Sequence, residues 1–164
     1  MIFDEAFYRK MATQKWRQQD YKKAAEYYEK VLELSPKDFD IQQHYAQCLV
    51  KLNIGKKAER LFYENIVKDF HVAESFYELS QLNIELNEPN KAFLFGINYV
   101  ILSEDKDFRE MLEKTFEVTY TNEQKIELEA QLFSTQLLFQ FLFSQGRLEE
   151  ARAFILNQSY EIQQ

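Results

Sequence analysis

The sequence predicts an all-α fold built from repeated helix pairs, and three observations favour this class. The 164-residue chain contains only three glycines and two prolines, residues that sheets and Rossmann-type loops need for their turns. Fifteen Phe and ten Tyr provide bulky groups for packing between helices. Small and large apolar residues also recur at an offset of 34 residues. A fixed offset of this length is typical of stacked helical repeats.

Composition argues against several classes of function. The formal charge is −7 and the isoelectric point is near 5.0, so a phosphate backbone would be repelled and nucleic-acid binding is not expected. The start, MIFDEAFYRK, lacks the pattern of a signal peptide, and the single cysteine cannot form an internal disulfide. We therefore expect a cytoplasmic protein. The longest apolar run is too short for membrane insertion.

The first helix of each predicted pair carries a large residue followed directly by a small one. The series is Tyr8, Met11 and Ala12, then Gln42, Tyr45 and Ala46, then Phe76, Leu79 and Ser80. The second helix carries a small residue at Ala24, Ala58 and Ala92, followed four residues later by Tyr28, Phe62 and Gly96. Small residues let two antiparallel helices approach closely, and the aromatic on the same face fills the space to the next pair.

The stretch RQQDYKKAAEYYEKVLELSP, from Arg17 to Pro36, resembles the second half of a tetratricopeptide repeat at almost every position. The resemblance implies three repeats, at about 5–38, 39–72 and 73–106, within a right-handed α-α superhelix. Several residues depart from the family pattern. Lys15 and Asn83 replace an aromatic late in the first helix, Gly96 replaces the packing aromatic, and Phe70 and Glu104 replace the closing proline.

Beyond residue 106 the period fails, and residues 107–164 are predicted to be an irregular helical part of the same continuous solenoid. We expect a helix at about 106–118, a break at 119–122 and a long helix at about 123–143. The segment SQGRLEEARAFI then resembles the turn and second helix of a degenerate or partial repeat. Its small residue, Ala151, follows Ala92 by 59 residues and not by 68.

In the family, the first helices line a concave groove that binds protein or extended peptide partners. The resemblance therefore implies a partner-binding surface that runs from basic to acidic. Its residues would be Arg9, Lys10, Thr13, Trp16 and Arg17, then Gln43, His44, Gln47, Val50 and Lys51, then Glu74, Tyr77, Glu78, Gln81, Ile84 and Glu85. Charge on exposed helices is common, so the polarity alone does not establish a partner.

The resemblance also argues against one family function, the clamp that grips the terminal carboxylate of heat-shock proteins. That clamp uses Lys, Asn, Asn, Lys and Arg, whereas the matching positions here are Arg9, Thr13, His44, Glu74 and Glu78. Two carboxylates would repel the terminal carboxylate of a peptide. A heat-shock co-chaperone is therefore not expected.

The run QLLFQFLFSQG, residues 136–146, has apolar residues on more than one helical face. Burial in the core is one interpretation. The other is an aromatic interface, formed by Phe139, Phe141 and Phe143, for a partner or for a homo-oligomer joined through this end. The chain could also be the N-terminal fragment of a longer repeat array, since repeat arrays need capping helices.

No catalytic motif, metal site or cofactor site is predicted. His44 and Cys48 share a helical face but lack further ligands, and His71 with Glu74 is a similar near miss. The predicted function is therefore a non-enzymatic scaffold or adaptor that binds a polypeptide. The alternatives are a self-associating structural module and a peptide-sensing regulatory domain of a larger system.

Overall fold

The structure, a computed structural model, describes residues 3–117 and 123–163, and these residues form nine helices joined by short turns. The helices are α1 (Glu5–Arg17), α2 (Tyr21–Leu34), α3 (Phe39–Lys51), α4 (Gly55–Val67), α5 (Val72–Glu85), α6 (Pro89–Ser103), α7 (Lys106–Phe116), α8 (Glu123–Ser144) and α9 (Leu148–Gln163). No strand occurs in these ranges. The break predicted at 119–122 lies outside the described residues.

The chain divides into two compact units, Met1–Glu78 and Leu79–Gln164. In the first unit α1 packs on α2, α2 on α3, and α3 on α4. In the second unit α6 packs on both α7 and α8, and α8 packs on α9. The boundary between the units falls inside α5, whereas the division predicted at residue 106 followed the sequence period.

The small residues that define the period lie at closely packed positions in their helices. Each of them has no solvent exposure: Ala12, Ala24, Ala46, Ala58, Ser80 and Ala92. In the third pair the contact is direct, because the Ser80 hydroxyl donates to the Ala92 carbonyl at 2.7 Å. A larger side chain at such a position would have to push neighbouring atoms apart in an interior that has little spare volume.

The turns between paired helices repeat with the same 34-residue period. Gln19, Asn53 and Asn87 adopt positive φ angles of 59°, 61° and 58°. The following N–H then bonds to a carbonyl five residues earlier, as from Asp20 to Lys15 at 2.9 Å. This left-handed ending is a common way to satisfy the last carbonyls of a helix. The turn from α8 to α9 uses Gly146, at φ 73°, in the same way.

Gly96 shows why the third repeat departs from the pattern. It occupies the place of the packing aromatics Tyr28 and Phe62, and it is buried. A Cβ atom at Gly96 would lie 2.7 Å from Leu112 Cδ1 and 3.0 Å from Ser80 Oγ. Leu112, on α7, is fully buried. The leucine therefore takes the place of the aromatic that the second helices α2 and α4 supply in the earlier repeats.

This replacement predicts that the effect of Gly96→Ala on stability changes sign with the residue at 112. Alone, Gly96→Ala should destabilise by about 1 kcal/mol, because overpacking of roughly 1–3 kcal/mol exceeds a helix-propensity gain of about 1 kcal/mol. Leu112→Ala should cost about 2–5 kcal/mol. In that background Gly96→Ala should stabilise. Urea unfolding followed by circular dichroism tests this, and additive effects would contradict it.

Candidate functional site

The residues predicted to line a partner surface differ in how far their side chains are exposed to solvent. In the first unit, Lys10, Thr13, Arg17, His44, Lys51, Glu74 and Tyr77 are exposed, while Arg9, Trp16, Gln47, Val50 and Glu78 are partly buried. In the second unit, Gln81 is partly buried and Ile84 and Glu85 are exposed. Gln43 is the exception, because it is only 4% exposed. We define the first-helix surface as the twelve residues from the first unit, without Gln43.

An open depression runs along α1. It is lined by Arg9, Lys10, Thr13, Gln14, Arg17 and Gln18. Within the described part of the chain, Lys10 and Arg17 have no acidic partner, and both side chains are exposed. The depression therefore presents two positive charges that form no ion pair with a carboxylate of the described residues. Trp16 is not among the lining residues; it packs edge-on against Tyr21, with ring centroids 5.2 Å apart, and supports the fold.

Arg9 is committed to internal contacts. Its guanidinium donates to Glu5 at 2.9 Å and forms an ion pair with Asp38, the residue before α3. The second oxygen of Glu5 accepts from the Ser35 hydroxyl at 2.8 Å. Arg9 thus ties the start of α1 to the start of α3. We expect it to contribute less to partner binding than Lys10 or Arg17.

The two carboxylates of this network have lowered pKa values. The hydrogen bond from Arg9 lowers the pKa of Glu5, and the Ser35 hydroxyl adds to the effect. Burial alone would raise the pKa of Asp38, but hydrogen bonds from Arg9 and the Ile41 N–H bring it below the usual 3.8. The resulting stabilisation is complete above the unfolded pKa values and is lost as pH falls through the lowered folded ones.

We therefore predict that Asp38→Asn destabilises the protein by about 1 kcal/mol near neutral pH, because the amide keeps the cap on α3 but loses the ion pair. The difference from wild type should vanish in acid. Urea unfolding at several pH values measures it. Asp20→Asn is the matched control, since Asp20 caps α2 through the Lys23 N–H at 3.2 Å. Equal pH dependence in the two variants would contradict the assignment.

Gln43 belongs to a buried polar cluster. Its Oε1 accepts from Asn65 Nδ2 at 2.8 Å and from the Ser75 hydroxyl at 3.0 Å. Gln42 donates to Asn65 Oδ1 at 2.7 Å. The cluster joins α3, α4 and the start of α5. Gln43 therefore has a structural role, and the sequence pattern alone did not separate it from its exposed neighbours.

Two predicted surface residues from different helices are brought together. Gln47 on α3 donates to Glu78 on α5 at 3.4 Å. Burial raises the pKa of Glu78, while Gln47 and the positive charge of Lys51 partly oppose the rise. Near it on α5, Glu74 is exposed and Tyr77 is 38% exposed. The α5 part of the first-helix surface is thus acidic and aromatic.

The candidate chemistry at His44 and Cys48 is not supported. His44 stacks on Tyr28 with ring centroids 6.0 Å apart. Cys48 is fully buried, and burial raises the pKa of its thiol to about 12. The described residues contain no cluster of three or more His, Cys, Asp or Glu able to hold a metal ion. A buried neutral thiol is a poor nucleophile.

We predict that a thiol reagent will label Cys48 only when the protein unfolds. Near neutral pH the thiol is protonated and shielded from solvent, so the native protein should react far more slowly than the chain in urea. Labelling rates across a urea series should follow the unfolded fraction measured by circular dichroism. Rapid, complete labelling of the native protein would contradict this description of the site.

The aromatic run on α8 has both buried and exposed members. Leu138 and Leu142 are buried, as expected for a core helix. Phe139 and Phe141 are partly buried, whereas Phe143 is 58% exposed and stacks on Phe139 at 5.9 Å between centroids. The run therefore serves the core on one face and leaves another face open. Among the described helices, none has the length and hydrophobicity needed to cross a membrane.

Comparisons with known proteins agree with this architecture. A family model described as a tetratricopeptide repeat matches residues 15–62. The fold is similar to the crystal structure of MamA protein, with a TM-score of 0.60 and 18% sequence identity, covering 94% of this chain and 89% of that chain. No curated protein gives a significant sequence match. The structural likeness confirms the predicted all-α repeat fold.

Proposed function

We propose that this chain, which matches a tetratricopeptide-repeat model over residues 15–62, binds an extended polypeptide along the first-helix surface of its N-terminal unit. Repeats of this family act in general as protein-interaction scaffolds, because stacked units present long continuous surfaces. The proposed role is an adaptor that binds its partner without a chemical reaction.

One observation carries the proposal: the first helices separate their packing residues from their outward polar residues. On α1, Ala12 is fully buried, whereas Lys10, Thr13 and Arg17 are exposed around the open depression. The fold does not use the last three side chains for packing. Exposed polar groups that are held on rigid helices suit recognition, since little backbone conformational entropy is lost on binding.

The charges along this surface favour a partner of defined polarity. Lys10 and Arg17 supply unneutralised positive charge on α1, and Glu74 and Glu78 supply negative charge on α5. An extended peptide would therefore place an acidic segment at α1 and a basic segment at α5. Such complementarity sets orientation and association rate more than affinity. The buried neutral thiol of Cys48 fits an adaptor in a reducing compartment such as the cytoplasm.

The proposal predicts that Lys10→Glu combined with Arg17→Glu weakens binding of acidic peptides. A set of extended peptides of equal length, with acidic, neutral or basic composition, would be titrated against the full chain by fluorescence anisotropy. Wild type should prefer the acidic set. The double variant should bind it at least tenfold more weakly, a loss of about 1.4 kcal/mol, and added salt should weaken wild-type binding.

Lys22→Glu combined with Lys23→Glu is the matched control, because both lysines are exposed at the start of α2 and the charge change is the same. This control should keep wild-type affinity if recognition is local to α1. Equal losses in the two double variants would mean that only the total charge matters. That result would overturn the proposed site.

A further inference from the structure

The structure leaves one apolar face of α8 uncovered within the second unit. Leu128, Leu132, Phe139 and Phe143 follow one another at separations of four, seven and four residues, which keeps them on one side of a helix. Leu128, Leu132 and Phe143 are 43%, 49% and 58% exposed. We name these four residues the α8 stripe. The α8 stripe and the first-helix surface have no residue in common.

A different face of α8 already serves the core. Ala130, Ser134, Leu138 and Leu142 are buried there at intervals of four residues. Contacts from α6 reach this part of the helix: Asn98 Nδ2 donates to the Ala130 carbonyl at 2.9 Å, and Phe95 meets Phe133 at 5.4 Å between ring centroids. The α8 stripe is therefore additional to the packing that holds the unit together.

The distribution of charged residues also distinguishes the α8 stripe from the rest of the second unit. Residues 1–78 contain 13 basic and 13 acidic residues, whereas residues 79–164 contain 7 basic and 14 acidic residues. The whole net charge of −7 therefore lies in the second half of the chain. Residues 130–146 contain no charged side chain at all. Two copies of the second unit would repel each other at long range, but they could meet here without burying a charge.

The spacing of the α8 stripe fits a second copy of itself. Because the separations of four, seven and four read the same in both directions, an antiparallel pair of α8 helices would place Leu128 opposite Phe143 of the second copy. Leu132 would face Phe139 in the same way. Thr135 and Gln136 would lie at the two-fold axis. An isologous two-fold interface requires such self-complementarity, and apolar positions three and four residues apart form the seam of paired helices.

We propose that two copies of this chain associate through the α8 stripe in an antiparallel two-fold arrangement. Phe143 is the more exposed of the two aromatic residues in the stripe, and it stacks on Phe139. Association along residues 130–146 would bury apolar side chains and no charged ones. The affinity should therefore increase with ionic strength, because salt screens the repulsion between the two acidic units.

Light scattering of the full chain over a range of concentrations tests the association. The wild-type mass should rise from 19.8 kDa toward twice that value, and added salt should shift the rise to lower concentration. Phe143→Asp should keep a constant monomer mass. Leu102→Asp is the matched control, because Leu102 is 53% exposed on α6, outside the stripe, and it should behave as wild type.

Cysteine variants test the geometry, and buried Cys48 does not interfere. Thr135→Cys should form disulfide-linked dimers under mild oxidation. Leu128→Cys should link to Phe143→Cys but not to itself, since equivalent positions would be about 22 Å apart at 1.5 Å per residue, far beyond disulfide reach. A wild-type mass that stays monomeric at every concentration and salt would overturn the proposal, as would self-linking of Leu128→Cys. Thermal melting of Phe143→Asp that matches the wild type at a concentration where the wild type is monomeric would show that the fold is retained.

Discussion

Close packing at six small residues sets how the paired helices fit together. Ala12, Ala46 and Ser80 on first helices, with Ala24, Ala58 and Ala92 on second helices, have no solvent exposure. Because these positions admit no bulk, the large residues must pack elsewhere, as Tyr28 and Phe62 do. The outward faces of the first helices are then left to polar side chains. The candidate binding surface is in this sense a consequence of how the helices pack.

The period in the sequence predicted this part of the fold because each repeat satisfies its packing with residues at fixed offsets. The prediction was weaker at positions whose packing partner belongs to a helix outside the repeating pattern. In the sequence, Gly96 indicates only that the packing aromatic is missing. The position of Leu112 on α7 shows that the space beside Gly96 is filled. The left-handed turn at Gln19 was also not evident, since glutamine gives no local signal for positive φ, unlike Gly146.

The candidate site was predictable in outline and not residue by residue. The helical period assigns Gln43, Lys10 and Arg9 equally to the partner-facing side of the first helices. Gln43 turns inward because Asn65 and Ser75 offer hydrogen-bond partners. Arg9 is bound by two carboxylates, one close to it in the sequence and one far from it. Such pairings depend on tertiary contacts that composition and spacing do not encode. Likewise, the aromatic run on α8 indicated apolar surface, but the division between buried Leu142 and exposed Phe143 required the structure.

We propose that the outward faces of the first helices in the N-terminal unit bind a polypeptide. This can be tested by hydrogen–deuterium exchange of the full chain, with and without the acidic peptide of highest affinity. We expect added protection of the backbone amides of α1, α3 and the start of α5, with no added protection on α2 and α4. Protection confined to α2 and α4, or spread evenly over the chain, would contradict it.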